Sequence, residues 1–242
     1  MRRLKDDLRL TQVVIEVVDA RVPMSGRNPA LAAMASRKTR LLVLEREDLA
    51  DPNATAAWLA HFERSGQLAV AADGKSRRGM VRLRETLAGL ATRRTVRAIV
   101  VGIPNAGKST VINALAQRNV ARAEDRAGVT RAAQWFRIEA ALEVLDTAGI
   151  LVPKVDSDEA QWKLAMCSAF PRARFDAEDV VGRFHAWAEA IGKKVPDLAT
   201  FAAERGFVRR GNIPDTHNAA WSYIKEWSDG RFGRMTLELA PS

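Results

Sequence analysis

Apolar residues in this chain come mostly in short unbroken runs. Residues 13–18, 40–44, 68–71 and 98–101 are each bounded by polar or turn-forming residues, the pattern expected of strands covered on both faces. Helical spacing fills the gaps between them. Residues 55–64 predict one helix, and Met80, Leu83, Leu87 and Leu90 mark a second. A short helix ends near Met34 after the turn-like stretch 25–29, and another runs from Lys108 to about Gln117. Residues 134–138 and 142–145 predict an antiparallel pair. Strands alternating with helices predict an α/β domain, a mostly parallel sheet with helices on both faces, over residues 1–154. Beyond Pro153 the texture changes. Val180, Phe184, Trp187 and Ile191 share one helical face, Trp221, Ile224 and Trp227 another, with Pro196 and Gly211 as punctuation. Residues 155–242 therefore predict a small helical domain whose aromatics form its core. There is no internal repeat and no low-complexity tract.

One segment carries explicit chemistry. Gly102-Ile103-Pro104-Asn105-Ala106-Gly107-Lys108-Ser109-Thr110 fits G-x-x-x-x-G-K-[ST], with a predicted strand before it and a predicted helix after it. Such a loop surrounds phosphates with backbone N–H groups at a helix N-terminus. Asn105, Ala106, Gly107, Ser109 and Thr110 are thus candidate nucleotide contacts, with Lys108 reaching the β- and γ-phosphates and Ser109 placing its hydroxyl on Mg²⁺. Downstream, Thr130 in Gly128-Val129-Thr130 supplies a second candidate Mg²⁺ ligand. Asp146-Thr147-Ala148-Gly149 supplies an acidic residue near the metal and the Gly149 N–H for the γ-phosphate. This order and spacing favour a GTPase over a kinase. The residue after Gly149 is Ile150, where Ras-type GTPases place a glutamine that orients water, so unassisted hydrolysis is expected to be slow. Asn105 is a candidate ligand for a monovalent cation between the phosphates.

Charge and cysteine content narrow the setting. The net charge is +9, and residues 1–154 carry 26 Lys and Arg against 16 Asp and Glu, so the excess lies in the first part of the chain. A basic half suggests a polyanionic partner. Arg77, Arg78, Arg82, Arg84, Arg93, Arg94 and Arg97 are either its contacts or the solvated face of a helix and linker. A single cysteine, Cys167, rules out a disulfide framework and suits a reducing cytosol. No stretch has signal-peptide character or the length of a membrane span, so a cytoplasmic protein that does not enter membranes is expected.

About a hundred residues precede the phosphate loop, and they look like the half of a GTPase domain that ordinarily follows it. Asp19-Ala20-Arg21-Val22-Pro23 through Pro29 closely resembles the "DAR" segment of circularly permuted GTPases. The Gly128-Val129-Thr130 and Gln134-Trp135 segments, the run from Asp146 to Lys154, the G-x-P-N-x-G-K-S form of the loop and the C-terminal Phe232-Gly233-Arg234 resemble the same group. Together they resemble the ribosome biogenesis GTPase A family. The resemblance implies a circularly permuted Ras-like P-loop GTPase domain followed by a helical domain that binds ribosomal RNA. It further implies GTP and GDP as ligands, Mg²⁺, and K⁺ at Asn105. The large ribosomal subunit precursor and its rRNA are the implied partners, and hydrolysis stimulated by potassium and the ribosomal particle is the implied activity. A monomer is expected.

Three departures accompany the resemblance. Where the family reads guanine with N-K-x-D, this chain has Glu45-Arg46-Glu47-Asp48. Asp48 can still accept from guanine N1–H and the exocyclic amine, and Arg46 can lie over the base. An ionised Glu45 only accepts, where asparagine donates. It is expected to turn away and pair with an arginine, leaving a weakened guanine preference. Asp73-Gly74 stands where the family has a serine or asparagine whose backbone touches the base. Family members also carry an early segment resembling W-F-P-G-H-M, whose histidine is implicated in hydrolysis; this sequence begins after that segment, and His61, His185 and His217 are expected at surface or packing positions. Two other readings stay open: a catalytically degenerate scaffold for assembly, and a P-loop ATPase or kinase with relaxed base choice.

Overall fold

The computed structural model describes residues 2–76, 78–90, 95–116, 134–139, 142–146, 155 and 157–241. The apolar runs become strands β1 (Val13–Asp19), β2 (Thr39–Glu45), β3 (Leu68–Ala72) and β4 (Val96–Val101), followed by β5 (Gln134–Glu139) and β6 (Leu142–Asp146). They form one sheet in the order β3-β2-β1-β4-β6-β5, parallel throughout except that β5 runs antiparallel to β6. The chain walks outward from β1 to the edge at β3, returns to the middle at β4, and then fills the other side. The strand that leads into the phosphate loop is therefore central in space although fourth in sequence, as the permuted order requires.

Alternation along the strands sorts the core into two faces. Val14, Ile99, Val101 and Leu145 face α1 (Arg2–Arg9) and α2 (Pro29–Met34), while Val18, Leu42 and Leu44 face Trp58 and Phe62 of α3 (Pro52–Arg64). On the other face Ile15, Val17, Val43, Ala98 and Val100 share a cluster with Leu83 and Leu87 of α4 (Val81–Leu90) and with Val111, Ile112 and Leu115 of α5 (Lys108–Leu115). Helix α1 escapes sequence reading because only Leu4 and Leu8, one turn apart, enter the core. Met80 lies in a short 3₁₀ turn ahead of α4. On α4 itself Arg82 is exposed, as a solvated face requires, whereas Arg84 reaches the Ala114 carbonyl.

The helical part comprises α6 (Asp158–Met166), α7 (Ala177–Ala190), α8 (Leu198–Glu204), the small hairpin β7 (Val208–Arg209) and β8 (Ile213–Pro214), and α9 (Thr216–Ser228). Its core is aromatic, as expected: Phe184, Phe201, Tyr223 and Trp227 are buried, and Tyr223 and Trp227 both meet Phe184 edge-on. Ile191 departs from the expected face, since it sits at the C-cap of α7 and is exposed. The tail after α9 returns to the α/β domain. Met235 N donates to Leu49 O (3.0 Å) and Leu237 N to Arg21 O (2.8 Å). Trp58 Nε1 donates to Glu238 O (2.8 Å), and the Glu238 carboxylate accepts from the Met24 N–H at 2.7 Å. No described helix is long and apolar enough to cross a membrane.

Candidate nucleotide-binding site

The loop between β4 and α5 has the backbone of a phosphate cradle. A Cβ at Gly102 would lie 2.4 Å from the Val17 carbonyl, so only glycine lets the loop pass this close to β1. Asn105 (φ 60°) and Gly107 (φ 93°) take left-handed conformations that fold the chain back on itself. Gly107 caps α5 with no side-chain acceptor, whereas Ser157, Asp176, Asp197 and Asp215 each accept from the first turn of their helices. A helix N-terminus that lacks a side-chain cap and opens on a cleft suits an anion. Lys108 Nζ lies across the loop and donates to Ile103 O at 2.7 Å.

The cleft has a volume of about 440 Å³. On one side stand Asn105, Gly107, Lys108, Ser109, Thr110 and Arg46; on the other, Ser168, Arg172, Lys225 and Ser228 come from the helical part. Asn105 Nδ2 spans the gap, donating to Ser168 O at 2.7 Å. Ser109 is exposed in the first turn of α5, a placement that fits a hydroxyl ligand for a phosphate-bound Mg²⁺. In this position the ion would neutralise charge on the phosphate oxygens.

Loops after β2 and β3 converge on the same place. Glu45 ends β2 with its carboxyl buried against Gly107, where a Cβ would come within 2.4 Å of Glu45 Oε2. That oxygen has no hydrogen-bond partner among the described residues, and Arg46 Nε stands 3.5 Å away. Burial pushes the Glu45 carboxyl up to about 7; Arg46 and the Gly74 N–H oppose the rise, and Asp19 and Asp48 add to it. Arg46 is thus the arginine beside the Glu45 carboxyl. Asp48 Oδ1 is likewise buried without a partner, while Oδ2 faces Lys75 Nζ at 3.9 Å. Asp73 Oδ1 accepts from Lys75 N at 2.9 Å, and Gly74 packs against Thr110, leaving no room for a Cβ.

Beside Glu45, at the paired position on β1, lies Asp19. Arg21 grips it through two bonds, Nε to Oδ1 (2.9 Å) and one terminal nitrogen to Oδ2 (2.8 Å). The other terminal nitrogen of Arg21 donates to Ser228 O (3.0 Å), and the guanidinium lies 4.6 Å from the Trp227 ring centre on α9. Arg46 also donates to Asp19 (3.1 Å) and to Asn105 O (3.2 Å), so it ties the β2 loop to β1 and to the phosphate loop. Burial drives the Asp19 carboxyl upward, but the two arginines overcome it and hold the group below its ordinary value.

Of the residues expected to contact nucleotide, Arg46, Asn105, Gly107, Lys108, Ser109 and Thr110 line the cleft. Glu45 packs against Gly107 and Gly74 against Thr110, Ala106 is buried within the loop, and Asp48 and Asp73 stand in the loops after β2 and β3, next to Lys75. Asp146 ends β6, its backbone paired with Val100 on β4. Thr130, Gly149 and Ile150 lie outside the described residues. The three histidines occupy packing or surface positions: His61 packs on Trp58, His185 Nε2 meets the Tyr223 hydroxyl at 2.9 Å, and His217 is exposed beside Glu178. Cys167 is fully buried and its thiol is pushed far up by burial, so it is an inert core residue. Sequence reading gave no role to Arg21, although the DAR segment contains it, and missed Ser168, Arg172 and Lys225, which carry no local signal.

Comparison with known proteins agrees with this geometry. A family model described as "50S ribosome-binding GTPase" matches residues 97–182. The chain is 33% identical to Ribosome biogenesis GTPase A of Bacillus cereus, over 98% of this chain and 89% of the relative. It is 36% identical to Ribosome biogenesis GTPase A of Bacillus pumilus, over 100% of this chain and 95% of the relative. The crystal structure of GNP-bound YlqF from T. maritima is similar with a TM-score of 0.80 at 30% identity, covering 100% of this chain and 98% of that one.

Proposed function

The chain belongs to the ribosome biogenesis GTPase A family, and we propose that it binds GTP in the cleft at α5 and hydrolyses it while acting on the large ribosomal subunit precursor. One observation carries this reading: the N-terminus of α5 has no side-chain cap and opens on the cleft, and it is supported by the buried Asp48 Oδ1, which has no partner among the described residues. The first suits phosphates and the second suits the paired N–H groups of guanine, which present two donors to one carboxylate.

In this reading Lys108 leaves Ile103 O for the β- and γ-phosphates. Ser109 holds Mg²⁺, with Thr130 and Asp146 completing its surroundings, and Gly149 senses the γ-phosphate. Arg46 and Asp48 flank the base, with Asp73 and Gly74 closing the pocket. Asn105 is the proposed K⁺ ligand, and its contact with Ser168 makes the helical part sensitive to what the loop holds. Residues 1–154 form the GTPase unit and residues 155–242 the ribosome- and rRNA-facing unit of a cytoplasmic monomer. The intact phosphate cradle favours this reading over a non-catalytic scaffold.

Titration with fluorescent mant-GDP and mant-ADP, followed by phosphate release with and without K⁺ and large subunits, tests the reading. Tighter binding of mant-GDP, its loss in Lys108→Ala, and faster phosphate release with K⁺ and particles are expected. Equal affinity for the two nucleotides would remove the base assignment, and particle-independent release would remove the ribosomal one. Association with large subunits should also weaken steeply as salt rises.

A further inference from the structure

We propose that Glu45 takes part in base recognition as a carboxylic acid, its O–H supplying the donor that an asparagine amide supplies in the N-K-x-D motif, so that guanine nucleotide is held tightly only while Glu45 carries a proton. The proposal deepens the base-pocket reading above and rests on it.

Glu45 is 1% exposed, and its Oε2 lies against Gly107 with no hydrogen-bond partner among the described residues. Arg46 is too committed to neutralise it fully. Two of its guanidinium nitrogens are held by Asp19 and Asn105 O, leaving Nε at 3.5 Å from Glu45. The remaining described surroundings act in both directions. From β1, Asp19 adds negative charge, although Arg21 binds it. From the loop after β2, Asp48 adds more. From the loop after β3, the Gly74 N–H is favourable, while Lys75 faces Asp48 and Asp73 caps its own turn. From the phosphate loop, Lys108 directs Nζ to Ile103 O.

Guanine presents acceptors, O6 and N7, on the edge that an N-K-x-D asparagine faces. An ionised carboxylate there would oppose acceptor to acceptor in a buried site, whereas the acid form donates from one oxygen and accepts at the other, as an amide does. Burial has already pushed this group up to about 7, so the proton is present or absent within the neutral range. The sign follows: as pH rises through that range the proton is lost and affinity falls.

Dissociation constants for mant-GDP and mant-ADP, measured between pH 6 and pH 8 on the wild-type chain, Glu45→Gln and Glu45→Asn, test this. For the wild type, mant-GDP affinity is expected to fall about tenfold across the range, the loss that follows when a single carboxyl titrating near 7 must be protonated for binding. In both variants it should be nearly flat and, at pH 8, tighter than wild type. Mant-ADP should show the smaller slope common to all three proteins, which reports titration of the nucleotide phosphates. A wild-type slope for mant-GDP no steeper than that of Glu45→Gln overturns the proposal while leaving the base pocket standing. Equal binding of mant-GDP and mant-ADP at pH 6, unchanged by Asp48→Ala, overturns the base pocket and this inference with it.

Discussion

Asp19 and Glu45 occupy paired positions at the C-terminal ends of adjacent parallel strands, and both carboxyl groups are buried. They nevertheless sit on opposite sides of their ordinary ionisation. Asp19 is clasped by Arg21 and touched by Arg46, and is held as a carboxylate. Glu45, one strand away, has an oxygen with no partner among the described residues and is pushed toward the acid form. Burial is common to both and so does not decide the outcome; the number and geometry of hydrogen-bond donors does. The two sites divide the work accordingly. Asp19 anchors the arginines that tie β1 to the β2 loop and to α9 through fixed charges, while Glu45 is a carboxyl buried against the phosphate loop that burial pushes toward the acid form.

Breaking the Asp19 side of the pair has the largest expected effect. Arg21→Leu leaves a buried carboxylate facing a lost partner and frees the Ser228 carbonyl, and should cost about 3–5 kcal/mol of stability. Arg21→Lys should recover little, because one ammonium cannot reproduce two parallel bonds to Asp19. Adding Asp19→Asn to Arg21→Leu should recover part of the loss, since the remaining group is neutral. Urea denaturation at constant pH reads all three, and an additive double mutant would contradict the coupling.

The Glu45 side is probed by pH. A carboxyl raised from 4.5 to about 7 on folding holds its proton in the native state over a window where the unfolded chain has released it. Stability is therefore lost as pH climbs from about 4.5 to about 7, on the order of 3 kcal/mol in all, and stays lost above. Glu45→Gln should match wild type at the acid end and become progressively more stable up to pH 7. Asp19 runs the other way: its contribution is present above its unfolded value near 3.8 and is lost as pH falls through its lowered native value. Urea midpoints for Glu45→Gln and wild type at several pH values separate the two slopes.

Much of this arrangement is legible along the chain, and the rest is missing for identifiable reasons. Strands β1 to β4 announce themselves because each is a largely apolar run with a clear stop, and the phosphate loop because its glycine, lysine and serine spacing is explicit. Helix α6 does not, because five consecutive residues, Trp162 to Met166, are all buried and a helix covered on every side has no polar stripe to reveal its period. The glutamate at 45 is visible as a departure from N-K-x-D, yet the rise of its carboxyl comes first from burial, which no local pattern shows. Arg46 next to it opposes the rise, and Asp19 across the strand and Gly74 after β3, both distant in sequence, also act on it. The links to the helical part are less visible still. Asn105 meets a backbone carbonyl at Ser168, and Arg21 meets one at Ser228; a carbonyl is common to every residue and leaves no trace in composition.

Those two links differ in weight, which gives the next test. Arg21 reaches α9 from within the core, whereas Asn105 reaches Ser168 at an exposed site. Asn105→Ala should therefore reduce stability by about 1–2 kcal/mol, the net value of an ordinary hydrogen bond plus the strain of alanine at a left-handed position. If it destabilises as much as Arg21→Leu, the division between a buried lock and a surface tether is wrong.

The smallest expected effect belongs to Lys75, a cation in the loop after β3 that faces Asp48. Its nitrogen is 3.9 Å from Asp48 Oδ2 and the side chain is 62% exposed, so solvent screens the pair and ordering a long side chain offsets much of the attraction. Lys75→Ala should change stability by less than about 0.5 kcal/mol, and raising the salt concentration should erase even that. The same substitution leaves Asp48 Oδ1 buried and unpartnered, because Lys75 faces the other oxygen. Guanine affinity should accordingly survive in Lys75→Ala and collapse in Asp48→Ala, measured on mant-GDP at one pH. Were Lys75→Ala to weaken binding as strongly as Asp48→Ala, the carboxylate would depend on a surface cation for its placement, and the buried acceptor at Asp48 would no longer stand as an independent reader of the base.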